Sequence, residues 1–173
     1  FVVVPFINPF MEFNVNFTKE QIPLTYVVGG TATLFSAPFF GKLSDKKGKL
    51  RILVFCSFAT LPFIYFITNM PAISFYWVLL ITGLWFVLAN GRMIAAQSMI
   101  SNVVESQYRG SFMSLNSSLQ QLFVGSASFF SGMIVTNDPV SKKLYHYEWV
   151  GYLSIVLLAY CIYVAYILKK NTK

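Results

Sequence analysis

Long apolar stretches separated by short polar gaps limit what this chain can fold into. Five stretches approach the length of about 20 apolar residues that a helix needs to cross a bilayer; they are residues 22–41, 52–70, 72–98, 111–135 and 149–168. Residues 1–13 form a sixth apolar run that is too short to span. The pattern predicts an all-α membrane protein, a single domain over residues 1–173 with six transmembrane helices, the first of them truncated.

Composition supports this class and excludes others. Charged residues make up 11% of the 173 residues, whereas soluble domains carry about 25%. The net charge of +7 does not indicate nucleic-acid binding, because the basic residues fall in the gaps between apolar stretches. Cys56 and Cys161 lie inside apolar segments, which favours free thiols. No His, Cys and carboxylate cluster has metal-ligand spacing, and no nucleophile–base pair is evident, so we expect no metal, no cofactor and no enzymatic activity.

The basic residues alternate between the two sides of the predicted bundle. Nine fall on one side and three on the other, and Arg92 lies within a helix. The nine are Lys42, Lys46, Lys47, Lys49, Arg51, Arg109, Lys169, Lys170 and Lys173, and the three are Lys19, Lys142 and Lys143. This positive-inside asymmetry predicts an integral multi-pass protein of the plasma or inner membrane, with a cytoplasmic C-terminus.

The densest group of charges is GKLSDKKGK, residues 41–49, between the second and third apolar segments. Gly41 permits two helices to approach closely, and Gly48 permits the left-handed backbone conformation of a tight turn. The lysines hold this reversal beside anionic headgroups. Asp45 adds nothing to the positive-inside bias. We therefore expect it either to contact an arginine or a helix N-terminus, or to cap its own turn.

This stretch resembles G-x-L-[SA]-D-[RK]-x-G-[RK], the motif that joins the second and third helices of a six-helix half in the major facilitator superfamily. The stretch Glu105–Gly110, which leads into the fifth apolar segment, resembles the acid-x-x-x-Arg-Gly element of these transporters. Gly91-Arg92 resembles the arginine that the family carries late in the fourth helix. The resemblance covers essentially the whole chain.

The resemblance implies one half of a twelve-helix transporter that moves a small molecule by alternating access. We favour the C-terminal half, helices seven to twelve, because a short tail follows the last apolar segment and the fifth segment lacks a G-P-x-x-G-G pattern. The implied function is secondary active transport as an ion- or proton-coupled uptake or efflux permease. The implied partners are the substrate, the other six-helix half and membrane lipid.

Two groups of residues are candidates for function. The first is a cytoplasmic gate, in which the family implies that Asp45 sits against a helix N-terminus of the opposite half. Glu105 and Arg109, four residues apart, can pair directly if their stretch is helical. The gate residues are Gly41, Asp45, Gly48, Lys49, Arg92, Glu105 and Arg109.

The second group lies inside the apolar segments, where polar residues are costly toward lipid. The cavity candidates are Asn8, Glu12, Tyr26, Trp85, Asn90, Asn116 and Gln120. Glu12 is the candidate for proton coupling, although its position near the outer end also suits an interfacial role. Each of these residues can equally serve helix–helix hydrogen bonding without a ligand.

Two other readings of the whole chain remain. A six-helix protein can work as a homodimer whose two copies replace the two halves. A membrane subunit or scaffold can also keep this fold and bind a protein partner without transport, through the outer segment Asn137–Glu148.

Overall fold

The computed structural model describes residues 2–71, 73–102, 104–139 and 141–171, and within them the chain forms six α-helices and one short hairpin. The elements in chain order are α1 (Val4–Phe13), α2 (Gln21–Lys47), α3 (Lys49–Thr68), α4 (Phe75–Ser101), α5 (Arg109–Ile134), β1 (Thr136–Asn137), β2 (Leu144–Tyr145) and α6 (Tyr147–Asn171). Among the residues on which the sequence predictions rest, Phe1, Ala72 and Lys173 lie outside the described residues.

Three of these helices are long and apolar enough to cross a membrane by length and composition. They are α3, α4 and the part of α6 from Tyr147 to Ile167, and only the described residues enter this comparison. Helices α2 and α5 have 27 and 26 residues, which is ample length at 1.5 Å per residue. They carry more Gly, Ser, Thr and amide residues, and they fall short of the same apolar standard. The predominantly helical class is therefore confirmed, whereas a bundle of six spans stays a prediction.

The second helix is longer than the sequence predicted. Instead of ending at residue 41, α2 continues through the charged stretch to Lys47, and α3 begins at Lys49. The reversal between them takes place at Gly48, whose φ of 95° is a conformation that favours glycine. Its ψ of 129° is extended rather than left-handed helical. The first seven residues of the motif thus form the end of α2, because Lys, Leu and Ser are all compatible with a helical backbone. The chain then turns at a single residue, Gly48.

Small residues set the packing of the helices. Helix α4 makes extensive contacts with both α2 and α3, and α6 packs mainly on α3. Gly29 lies against the ring of Phe86, and Gly91 lies against the ring of Phe40. Gly41, by contrast, faces open space, so it does not provide the close helix approach that was expected of it.

The C-terminal end of α1 is fixed by the hairpin between α5 and α6. Asn14 Nδ2 donates to the Leu144 carbonyl at 2.9 Å, and the Leu144 amide donates to Asn14 Oδ1 at 2.9 Å. The side chain of Asn14 thus pairs with β2 as a backbone group would. Tyr147, fully buried, donates its hydroxyl to the Val3 carbonyl at 3.0 Å and stacks on Phe10. The short helix α1 is thereby tied to the start of α6.

We predict that Gly151→Ala lowers the stability of the protein by about 1–3 kcal/mol, the usual range for overpacking. A Cβ at this position would overlap the side chain of Thr68, which is buried and bonded to the Ile64 carbonyl. Thermal unfolding of the full-length protein in detergent measures the effect. Gly83→Ala is the matched control, because its added Cβ would meet Val28 at an ordinary 3.5 Å. Equal melting temperatures for the two variants would contradict the packing described here.

Candidate functional site

The charged end of α2 is tied to the C-terminus of α4 by Lys49. Its Nζ donates to the Ser98 carbonyl at 3.1 Å, within the last turn of α4. The last carbonyls of a helix have no partner inside the helix and carry partial negative charge. Lys49 therefore caps α4 from the neighbouring helix and fixes the ends of α2, α3 and α4 relative to one another.

Asp45 remains free of this arrangement. Its side chain is exposed in the last turn of α2. Among the described residues the only ion pair is Lys19 with Glu12, at 3.8 Å. Asp45 thus has no cationic partner within the described part of the chain, and it also does not cap the turn, since no side-chain cap occurs at the end of α2 or the start of α3.

The other charged gate candidates make no ion pair with Asp45 among the described residues. Arg92 is half-buried on α4. Glu105 precedes α5 and accepts a hydrogen bond from Gln107 Nε2 at 3.1 Å. Arg109 is the first residue of α5 and is exposed. The expected direct pair of Glu105 with Arg109 does not form, because residues 105–108 make a turn rather than a helix.

Two cavity candidates, Asn8 and Tyr26, meet between α1 and α2, and Trp85 of α4 adjoins them through its chain neighbour Phe86. The Tyr26 hydroxyl donates to Asn8 Oδ1 at 2.7 Å. The Tyr26 ring meets Phe86 edge to face at 5.8 Å between centroids, and Phe86 meets Trp85 in the same way at 5.1 Å. An amide, a phenol and two aromatic rings thus form one continuous group.

The remaining candidates are spread more widely. Asn90 Nδ2 donates to the Thr33 carbonyl of α2 at 3.5 Å, which joins α2 and α4. Glu12, near the C-terminal end of α1, pairs with Lys19, whose side chain is 82% exposed. Asn116 Nδ2 is buried without a hydrogen-bond partner among the described residues. Gln120, one turn further along α5, is half-buried.

Helix α5 has two unlike exposed faces, a feature that the sequence reasoning did not use. Its polar face carries Ser114, Ser118, Gln121 and Gly125, and its apolar face carries Leu115, Leu119, Phe123 and Phe130. Spacings of three and four residues place each set on one side of a helix. Only Ser131 of this helix is fully buried, where its hydroxyl donates to the Val2 carbonyl. The three- and four-residue spacing of small polar residues was the signal that could have revealed this face.

Comparison with models of known protein families identifies the family of this chain. A model of the Major Facilitator Superfamily matches residues 1–173. The chain belongs to the major facilitator superfamily. Searches of curated proteins and of solved structures give no significant match.

Membership confirms the expectation drawn from the charged motif. Proteins of this superfamily are transporters rather than enzymes, and they bind small molecules within a lipid membrane. The three apolar helices of this chain fit that environment.

We predict that Lys49→Met loosens the end of α4, since loss of a charged hydrogen bond removes about 1–2 kcal/mol. Hydrogen–deuterium exchange should become faster at residues 98–102. Lys47→Met is the control, because Lys47 is exposed and makes no side-chain hydrogen bond to α4 among the described residues. The capping role is wrong if residues 98–102 exchange at the same rate in both variants.

Proposed function

We propose that this chain is one half of a secondary transporter that moves a small organic molecule across the cytoplasmic membrane by alternating access. The observation that carries the proposal is the polar face of α5. Ser118 Oγ can bond within its own helix, to the Ser114 carbonyl at 3.1 Å. The carboxamide of Gln121 makes no hydrogen bond among the described residues. Such a face favours water or protein over lipid.

The same helix offers a place for an acid of the opposite half. The start of α5 has no side-chain cap and no acidic residue in its first turn. Arg109 and Gly110 are both exposed there. The amide groups and the arginine together make an anion-favouring end. We propose that this end receives an acid from the other half when the transporter is closed on the cytoplasmic side.

Asp45 supplies the corresponding half of the latch. It is exposed at the same end of the bundle, and Lys49 fixes the helix ends around it. A carboxylate at a helix N-terminus contributes about 0.3–2 kcal/mol. That range shifts a two-state equilibrium by about twofold to thirtyfold, which biases the transporter without locking it.

We further propose that the chain is the C-terminal half, helices seven to twelve, with the charged end of α2 in the cytoplasm. The absence of a G-P-x-x-G-G pattern from α5 supports the first point. The count of nine basic residues against three supports the second.

The substrate path runs along the group formed by Asn8, Tyr26 and Trp85, with Asn90, Asn116 and Gln120 as further polar contacts. Amide and hydroxyl groups beside aromatic rings suit a polar organic molecule with an apolar surface. Glu12 is the proposed coupling carboxylate, and its pair with Lys19 would open when it takes up a proton. The proposal covers both uptake and efflux.

We predict that Asp45→Asn in the full-length protein slows transport several-fold and leaves substrate binding unchanged, because the latch acts on the switch between states. Counterflow of candidate substrates in proteoliposomes measures the rate, and binding is measured in detergent. Glu20→Gln is the control. Glu20 is exposed at the other end of α2, and hydrogen bonds from its own backbone and from Thr18 lower its pKa, so it is charged at neutral pH. Unchanged counterflow in Asp45→Asn would overturn the latch, and no counterflow in the wild type would favour a non-transporting subunit.

A further inference from the structure

A surface groove runs between α3 and α6 toward the end of the bundle that carries the charged motif. At the outer end they touch closely, with Gly151 against Thr68 and the Tyr152 hydroxyl donating to Asn69 Oδ1 at 3.3 Å. Toward the inner end two adjoining cavities of about 260 and 360 Å³ lie between them. Val54 and Tyr166 line both cavities, so the two form one groove, which we call the inner crevice.

The inner crevice has apolar walls and lies between two helices that are suited to cross a membrane. Phe58, Ala159 and Tyr163 extend it along the helices beyond Val54 and Tyr166. From the level of Arg51 to that of Phe58 the crevice runs about 10 Å, at 1.5 Å per residue. An apolar groove that opens toward lipid is a site for a hydrocarbon chain, because water gains no hydrogen bonds there.

Positive charge collects at the mouth of the crevice. Arg51 lines the first cavity and is exposed, in the first turn of α3. Lys47 precedes Gly48, whereas the ammonium group of Lys49 is directed to the Ser98 carbonyl of α4, and no acidic residue stands in the first turn of α3. Asp45 is the acid nearest in sequence, and it lies on α2. Among the described residues Arg51 has no carboxylate within 4 Å, since the only ion pair there is Lys19 with Glu12.

This arrangement places cations where the positive end of a helix already disfavours them. An anion at the start of α3 would satisfy both the helix end and the guanidinium group of Arg51. A zwitterionic headgroup carries a cationic group as well, and this group would be repelled by Arg51 and by the start of α3. The charges therefore favour a ligand with net negative charge beside a hydrocarbon chain.

We propose that the inner crevice binds an anionic phospholipid, with its phosphate on Arg51 and one acyl chain between α3 and α6. The lipid comes from the leaflet at the charged end of α2. It fills the gap that the two helices leave and neutralises the start of α3. This site is separate from the substrate path between α1, α2 and α4.

Native mass spectrometry of the full-length protein tests the headgroup contact. Delipidated protein in detergent is titrated with dioleoyl-phosphatidylglycerol and, separately, with dioleoyl-phosphatidylcholine. We expect the wild type to retain phosphatidylglycerol more tightly, and Arg51→Gln to weaken this binding about fivefold, the usual effect of one basic residue at an anionic surface. Lys42→Gln, which removes an exposed charge on α2 away from the crevice, should have little effect. Equal binding of the two lipids, or an equal loss in Arg51→Gln and Lys42→Gln, would overturn the proposal.

Two further arms separate a lipid from a free anion and test the groove. Inorganic phosphate at millimolar concentration should not displace phosphatidylglycerol, and displacement would mean that the site binds phosphate alone. Val54→Trp fills the crevice and should reduce retention of phosphatidylglycerol. Val156→Trp is the control, because Val156 is exposed on α6 and does not line either cavity. Undiminished retention in Val54→Trp would exclude the acyl-chain contact.

Discussion

Hydrocarbon offers no hydrogen-bond partner to a polar side chain. This constraint determines which helix faces can lie against lipid and which favour water or protein. Helices α3, α4 and α6 present apolar surfaces that lipid can cover. Helix α5 presents Leu115, Leu119 and Phe123 on one side, but Ser114, Ser118 and Gln121 on another. The second side favours water or another protein surface over lipid. The asymmetry of this single helix is the observation behind our proposal that a second six-helix half completes the bundle.

The end of the bundle that carries the charged motif combines a fixed frame with an exposed acid, Asp45. Gly48 reverses the chain in one residue, and Lys49 joins that reversal to the end of α4. Asp45 is held on this frame without a partner among the described residues. A rigid support for an unpaired carboxylate suits an interaction that forms in one state of a transporter and breaks in the other.

The sequence predicted the number and order of the helices, because long apolar runs leave the backbone few alternatives in lipid. It also placed Asn8 and Tyr26 among the cavity residues, and the two form a hydrogen bond. It did not predict that α2 continues to Lys47, because charges and a glycine were interpreted as a loop. The pairing of Asn14 with Leu144 and the cap from Lys49 to Ser98 join residues 130 and 49 positions apart. Local patterns carry no signal for such contacts, and the inner crevice likewise depends on the angle between two helices.

Cysteine accessibility along α5 tests the central claim most directly. In the full-length protein with Cys161 replaced by Ser, single cysteines are introduced at Ser114, Ser118 and Gln121, and at Leu115, Leu119 and Phe123. The membrane preparation is then treated with a membrane-impermeant thiol reagent, with and without a conformational trap of the transporter. The account predicts reaction at the first set, dependent on the conformational state, and little reaction at the second. Equal labelling of both sets, or labelling of the leucine and phenylalanine positions alone, would contradict it.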